Sequence, residues 1–84
     1  MTWLRRYFGE EFAKLSPSIT FEGKNYAVVK LQKTTRGFNG VGFILVDKLS
    51  SHSSSRHVSL HEGMPSASDL TRMKAALDKK EEEA

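Results

Sequence analysis

The sequence contains no cysteine and no apolar run long enough to cross a bilayer. The absence of cysteine excludes disulfides, thiolate zinc sites and cysteine nucleophiles, and it fits the reducing, cytoplasmic location that we expect. A membrane-spanning helix needs about 20 consecutive apolar residues. Charges interrupt the N-terminal segment as early as Arg5, so it does not resemble a signal peptide. The sequence therefore predicts no membrane partner.

Acidic residues are scarce in the middle of the chain. The 84 residues include 13 basic and 10 acidic side chains, for a net charge of +3. Residues 23–60 hold six basic and one acidic side chain (+5), whereas residues 1–22 are neutral and residues 61–84 carry −2. A basic excess concentrated in one segment favours a polyanionic or acidic partner, although a charge of this size also serves solubility.

The apolar pattern predicts helices at both ends of the chain and strands between them. Residues 2–15 have the spacing of an amphipathic helix, which Pro17 should end. Ser66 and Asp69 predict a capping box at the start of a second helix. The segments typical of strands are residues 18–21, 26–33, 40–48 and 56–61.

This order predicts the α+β class, with an N-terminal helix, a three- to four-stranded antiparallel sheet and a C-terminal helix (αβββα order). A chain of this length forms one small domain with a modest core. We expect that domain to span residues 1–80, with residues 81–84 as a frayed acidic tail. Both helices are expected on one face of the sheet, which would leave the other face open to solvent or a partner.

The length of the connection between the two long strands determines which residues project beyond the sheet and are available to bind a partner. An Asn-Gly dipeptide is a hairpin signal, but a two-residue turn there would set apolar strand positions opposite polar ones. Pairing Leu31 with Phe43 instead matches the apolar faces, because register follows burial. That register predicts a seven-residue loop from Thr34 to Gly40, with Arg36 and Phe38 projecting beyond the strands.

The stretch RGFNGVGF resembles the RNP1 element of RNA-recognition motifs. The matching positions are Arg36, Gly37, Phe38, Val41 and Phe43. Asn39 stands where a small residue is usual, and Gly40 stands where a second stacking aromatic belongs. GVGFI is also similar to part of the cold-shock consensus, and the helix–sheet–helix order is similar to that of double-stranded-RNA-binding domains. The first two families do not open with an aromatic helix and their strand order does not fit, and Asp69 stands where double-stranded-RNA-binding domains carry a lysine cluster, so we assign the chain to no family.

The candidate binding surface combines a basic sheet face with the loop. Its residues are Tyr26, Lys30, Lys33, Arg36, Phe38, Lys48 and Arg56. Cations can neutralise phosphates and aromatic rings can stack on bases, so the first hypothesis is a non-enzymatic nucleic-acid-binding module. The alternative is a small protein-interaction module, an inhibitor or adapter of the kind that phages and mobile elements carry. It would bind an acidic protein surface, and apolar residues on the same sheet face would suit a homodimer through the sheet.

The sequence predicts no catalytic, metal or cofactor site. On a strand, His57 and His61 would lie about 13 Å apart, too far to share one metal ion. The serine-rich segment before His57 lacks the rigid turn and oriented base that a nucleophilic serine requires. No phosphate-binding glycine loop is present.

Overall fold

A computed structural model describes residues 2–35, 38–50 and 57–84 and confirms the predicted α+β class. The elements in chain order are α1 (Thr2–Phe8), a 3-10 turn (Gly9–Glu11), α2 (Phe12–Leu15), β1 (Ser18–Glu22), β2 (Tyr26–Thr35), β3 (Phe38–Asp47), β4 (Val58–Glu62) and α3 (Ala67–Glu83). The four strands form one antiparallel sheet in the order β1-β2-β3-β4.

The N-terminal helical segment is broken in the middle. One continuous helix over residues 2–15 was expected, but Gly9 adopts a φ of +57° and the chain makes a 3-10 turn before α2. A left-handed φ favours glycine because it has no Cβ to clash with the backbone. Ser16, with a φ of +44°, ends α2 directly before Pro17, as the proline predicted.

The helices cover opposite faces of the sheet, so the expectation that both lie on one face is wrong. On one face, α1 and α2 pack against the sheet; the buried residues are Leu4, Tyr7, Phe8, Ala27, Val29, Leu31, Ile44 and Val46. On the other face, α3 contributes Met73 and Leu77; they pack with Val28, Phe43 and Leu45. The cause lies in the strands, where consecutive apolar residues place buried side chains on both faces.

The pairing of β2 with β3 differs from the expected register by one residue. Leu31 pairs with Gly42 rather than with Phe43, and Val28 pairs with Leu45. The expectation assumed one buried face, on which a one-residue shift would expose the apolar set. Because both faces are buried here, that shift carries no such penalty.

The predicted loop from Thr34 to Gly40 is therefore wrong, because these residues belong mainly to strands. Thr34 pairs with Asn39 and Thr35 pairs with Phe38. Only residues 36–37 separate β2 from β3, and they lie outside the described residues.

The last helix begins as predicted and runs further than expected. Ser66 and Asp69 form the reciprocal capping box, and Met73 and Leu77 are buried on the inward stripe. Residues 81–84 were expected to be a frayed tail. Instead α3 continues to Glu83, and the Glu81 side chain is bonded to the turn between β1 and β2.

Candidate nucleic-acid interface

The candidate interface is the end of the β2–β3 hairpin that extends past its neighbouring strands. Pairing with β1 stops at Lys30, and pairing with β4 stops at Gly42, with one further bond from the Gly63 N–H to the Val41 carbonyl. Residues 31–35 and 38–41, here called the ribbon arm, are paired with each other. Among the described residues no third strand continues the sheet beside them. The ribbon arm is thus a two-stranded extension of a four-stranded sheet.

The helical layers stop near the base of the ribbon arm. The first turn of α3 lies close to β4, where the Asp69 carboxylate is 3.7 Å from His61 Nε2. From there α3 runs away from the ribbon arm, and Glu81 reaches the turn at the opposite end of β2. On the other face, α2 leads into β1 at Ser18, which pairs with Lys30. The helices therefore cover mainly the half of the sheet that is remote from the ribbon arm, and of the arm they reach Leu31, which is buried, and Val41, which packs against the cluster beneath α3.

The hairpin has an uncompensated basic charge. Between Asn25 and Asp47 the sequence contains Lys30, Lys33 and Arg36 and no acidic residue. Lys30 is half-buried at the base of the ribbon arm and makes no ion pair with any described residue. The local field of this segment therefore attracts anions.

Tyr26 and Lys30 share one face of β2, but that face is not open. The Tyr26 ring packs against the cluster beneath α3, and Lys80 Nζ lies 5.8 Å from its centroid. Phe43, the direct partner of Lys30, is only 3 % exposed. The proximal sheet face therefore offers no aromatic platform for bases.

Lys48 lies apart from the ribbon arm and already has partners. Its Nζ is 2.5 Å from Glu22 Oε2 and donates to the Gly23 carbonyl at 3.0 Å. The same ammonium lies 5.7 Å from the Trp3 ring centroid, and the Lys48 carbonyl accepts a hydrogen bond from Arg6. These contacts tie the end of β3 to β1 and α1.

The other four predicted site residues are described in part or not at all. Lys33 occupies a β2 position paired with Gly40, and Phe38 begins β3 opposite Thr35. Arg36 and Arg56 lie outside the described residues. The fold thus brings Lys30, Lys33 and Phe38 onto one hairpin and leaves Tyr26 and Lys48 at its far end.

An unpredicted interaction fixes that far end. Glu81 of α3 accepts hydrogen bonds from the Asn25 N–H (2.7 Å), the Tyr26 N–H (2.7 Å) and Asn25 Nδ2 (3.0 Å). Partial burial raises the pKa of the Glu81 carboxyl. The Tyr26 and Asn25 donors and the Lys48 charge outweigh that effect and hold the pKa below its ordinary value. A run of acidic residues was the sole signal in the sequence, because the partner of Glu81 lies 56 residues away.

The start of α3 carries a second perturbed carboxyl. The backbone and hydroxyl donors of Ser66 lower the pKa of Asp69, and the neighbouring His61 and Arg72 lower it further against partial burial. His61 also contacts the edge of the core, since its ring centroid is 6.2 Å from that of Phe43. The sequence placed His61 on a solvated strand face, and a register shift in the β3–β4 pairing explains the difference.

Within residues 2–35, 38–50 and 57–84, no three histidine or carboxylate side chains come together as a metal site requires. None of the helices described is both long and apolar enough to cross a membrane.

In comparisons with known proteins, no family model, no curated protein and no solved structure matches this chain.

Proposed function

We propose that this protein is a non-enzymatic, cytoplasmic nucleic-acid-binding module that uses the ribbon arm as its contact surface. The observation that carries the proposal is the extension of residues 31–35 and 38–41 beyond both neighbouring strands, within a segment (residues 26–46) that has three basic and no acidic side chains. Cations on an accessible backbone element attract phosphates from solution and release condensed counterions on contact.

We place the contact with nucleic acid at the end of the hairpin, whereas the sequence had predicted it on the face of the sheet. Both faces of the proximal sheet are covered by helices, so Tyr26 and Lys48 now serve packing and ion pairing. The same covering removes the open apolar face that a homodimer through the sheet would need. Lys33 and the predicted Arg36 remain as phosphate contacts, and Phe38 remains as an aromatic contact.

An acidic protein surface is the second candidate partner, because the same uncompensated charge would attract it. The two partners differ in their response to salt. If the three hairpin cations each neutralise one phosphate, affinity for a DNA duplex falls roughly 40-fold between 50 and 200 mM salt. A protein contact that relies on apolar burial weakens much less over that range.

The experiment titrates the protein into a fluorescein-labelled DNA duplex and follows anisotropy across that salt range. Lys33→Glu should weaken binding at least tenfold and reduce the salt slope by about one. Lys79→Glu is the matched control, because Lys79 is exposed on α3 and makes no ion pair with a described residue. Arg36→Glu tests the residue predicted from sequence in the same assay.

The proposal fails if the protein binds none of DNA duplex, single-stranded DNA or RNA duplex at low salt. It also fails if Lys79→Glu weakens binding as much as Lys33→Glu, since affinity would then follow net charge rather than the ribbon arm.

A further inference from the structure

We propose that the two helical layers are coupled at the end of the sheet opposite the ribbon arm, through the peptide group that joins Asn25 to Tyr26 and its contact with Lys48. A change that loosens α3 at this end should therefore also loosen α1, which lies on the opposite face of the sheet. The coupling is a conformational device of the fold. It goes beyond the proposed contact with nucleic acid and does not depend on it.

The two helical layers have separate cores. The residues buried beneath α1 and α2 form one cluster and those beneath α3 form another, with no described residue in both. The sheet lies between the clusters, because consecutive residues of a strand point to opposite faces, as Val28 and Val29 do. Coupling between α1 and α3 therefore has to pass through the sheet or around its end.

On the α3 side, the last turns of the helix hold the turn between β1 and β2. The Glu81 carboxylate accepts hydrogen bonds from the Asn25 N–H and the Tyr26 N–H, both at 2.7 Å, and from Asn25 Nδ2 at 3.0 Å. Three donors on one carboxylate fix the backbone of this turn and the side chain of Asn25. The position of the turn therefore depends on where α3 lies.

The peptide group between Asn25 and Tyr26 has partners on both of its sides. Its N–H donates to Glu81, and its carbonyl oxygen accepts a hydrogen bond from the Lys48 N–H at 2.9 Å. A peptide group that donates and accepts at once is polarised by each partner, so the two hydrogen bonds strengthen one another. The group that binds α3 thus also positions the backbone of Lys48, directly after β3.

On the α1 side, Lys48 contacts two residues of the first helix. Its carbonyl oxygen accepts a hydrogen bond from the Arg6 guanidinium, and its ammonium lies 5.7 Å from the centroid of the Trp3 ring. Glu22 Oε2 at 2.5 Å and the Gly23 carbonyl at 3.0 Å hold the ammonium there. With seven residues, α1 is too short to be stable by itself, so its position depends on tertiary contacts of this kind.

The charges of Glu81 and Lys48 act in the same direction as these hydrogen bonds. Partial burial raises the pKa of the Glu81 carboxyl, but the Tyr26 and Asn25 donors and then the Lys48 charge hold it below its ordinary value. The attraction is mutual, so the carboxylate also favours the position of the Lys48 ammonium beside α1. A change at Glu81 therefore reaches α1 through hydrogen bonds and through charge.

The first experiment removes the Glu81 side chain and follows amide hydrogen exchange by NMR at neutral pH. In Glu81→Ala the hydrogen-bonded amides of α1, residues 6–8, should exchange about fivefold faster than in the wild type, because the released turn no longer positions Lys48. The amides of Val28 and Val29, in the centre of the sheet, should change less. Glu82→Ala, an exposed neighbour of the same charge, is the matched control and should exchange as the wild type does.

A variant at the other end of α3 separates this coupling from a general loss of stability. Ser66→Ala removes the cap of α3 and should speed exchange in the first turn of that helix only. Equal acceleration of α1 in Ser66→Ala and Glu81→Ala would overturn the inference, because α1 would then respond to any loosening of α3. Unchanged exchange of α1 in Glu81→Ala would overturn it as well, since the contact of Glu81 would then act only locally.

The second experiment uses Trp3, the only tryptophan of the chain. Its ring lies beside Lys48, so its fluorescence reports how α1 is docked, although the substitution is made in the other layer. Quenching of Trp3 by acrylamide should increase in Glu81→Ala and should stay at the wild-type level in Glu82→Ala and Ser66→Ala. Equal quenching of Trp3 in the wild type and in Glu81→Ala would contradict the coupling.

A double-mutant cycle tests whether the two ends of the connection act together. Arg6→Ala removes the donor to Lys48 and Glu81→Ala removes the acceptor on α3, so their losses in melting temperature should be strongly non-additive. Lys14→Ala, an exposed cation of α2 in the same layer as Arg6, is the control, and its effect should add to that of Glu81→Ala. Additive losses for Arg6→Ala and Glu81→Ala would overturn the inference.

Discussion

The two halves of the β2–β3 hairpin share one backbone register but have different surroundings. In the half near Tyr26, side chains on both faces are covered, and Val28 and Val29 are fully buried. In the ribbon arm the same two strands continue past β1 and β4 without further strands beside them in the described structure. The comparison indicates that stability is concentrated in the first half, which leaves the second half free to carry a contact surface.

This division has a simple physical basis. Burial of apolar side chains on both faces supplies most of the folding free energy of a small domain. Residues of a two-stranded extension contribute little, because an isolated two-stranded ribbon is marginal in water. The ribbon arm is therefore anchored where it joins the four-stranded sheet, and substitutions in the arm should change the free energy of unfolding little.

The largest expected effect comes from the core beneath α3. Leu77 is 2 % exposed, so Leu77→Ala should lower the free energy of unfolding by about 2–5 kcal/mol. Gln32→Ala on the ribbon arm should change it by less than about 0.5 kcal/mol. Urea unfolding followed by circular dichroism measures both. Similar losses for the two variants would contradict the division of the hairpin.

Substitutions of two glycines also test how the surroundings of the β2–β3 hairpin differ between its two ends. A Cβ at Gly23 would clash with Glu81 Oε2, whereas a Cβ at Gly42 would meet nothing within 4 Å. Gly23→Ala should therefore displace the Glu81 carboxylate from its three donors and lower the melting temperature. Gly42→Ala should leave it unchanged.

The mechanism assigned to Gly23 can be tested with a double mutant. If Gly23→Ala acts by displacing the carboxylate, adding Glu81→Ala should cost little more, and the two changes should be strongly non-additive. Additive losses would mean that the alanine disturbs the turn in another way.

The N-terminal cap of α3 lies near the boundary between the two halves of the β2–β3 hairpin. Ser66→Ala removes the acceptor for the Asp69 N–H and should cost about 1 kcal/mol. Ser68→Ala, in the first turn of the same helix, is the control. Hydrogen exchange should show the loss in the first turn of α3, while DNA affinity stays as in the wild type. A loss of affinity in Ser66→Ala alone would show that α3 supports the ribbon arm directly.

The smallest expected effect concerns the charge of Glu81, and the difference between Glu81→Gln and the wild type shrinks in acid. Its pKa is depressed in the folded protein, so it contributes stability above the ordinary glutamate pKa, and this contribution is lost as the pH falls through the folded value. Glu81→Gln should therefore flatten the decline in melting temperature below about pH 4.5, and Glu82→Gln should not. Identical acid profiles for the two variants would contradict the assignment.

The class of the fold, the order of its elements and several boundaries could be predicted because they depend on local signals. Pro17 ends the N-terminal helical segment, and Ser66 with Asp69 starts α3. Alternation and branched residues identified four strands, although β2 and β3 are longer than expected. The basic hairpin could also be predicted from composition, since charge needs no contact to be counted.

The candidate site could be predicted only in part, because it depends on which strand end lacks neighbours. Lys33 and Phe38 were named for a loop, yet their backbone belongs to paired strands. Tyr26 and Lys48 were named for an open face that α3 and Glu22 occupy. The sequence of one strand does not indicate how far the neighbouring strands of the sheet extend.

The sequence by itself determined the helix–sheet–helix order, the caps and the basic centre of the chain. Each of these features depends on residues that lie only a few positions apart in the chain. Tertiary structure alone decided that the helices take opposite faces, that β2 and β3 pair one residue away from the expected register, and that Glu81 holds the first turn of the sheet. An apolar run such as Ala27, Val28 and Val29 fits either face equally well. Which helix covers which side is settled only when distant segments pack together.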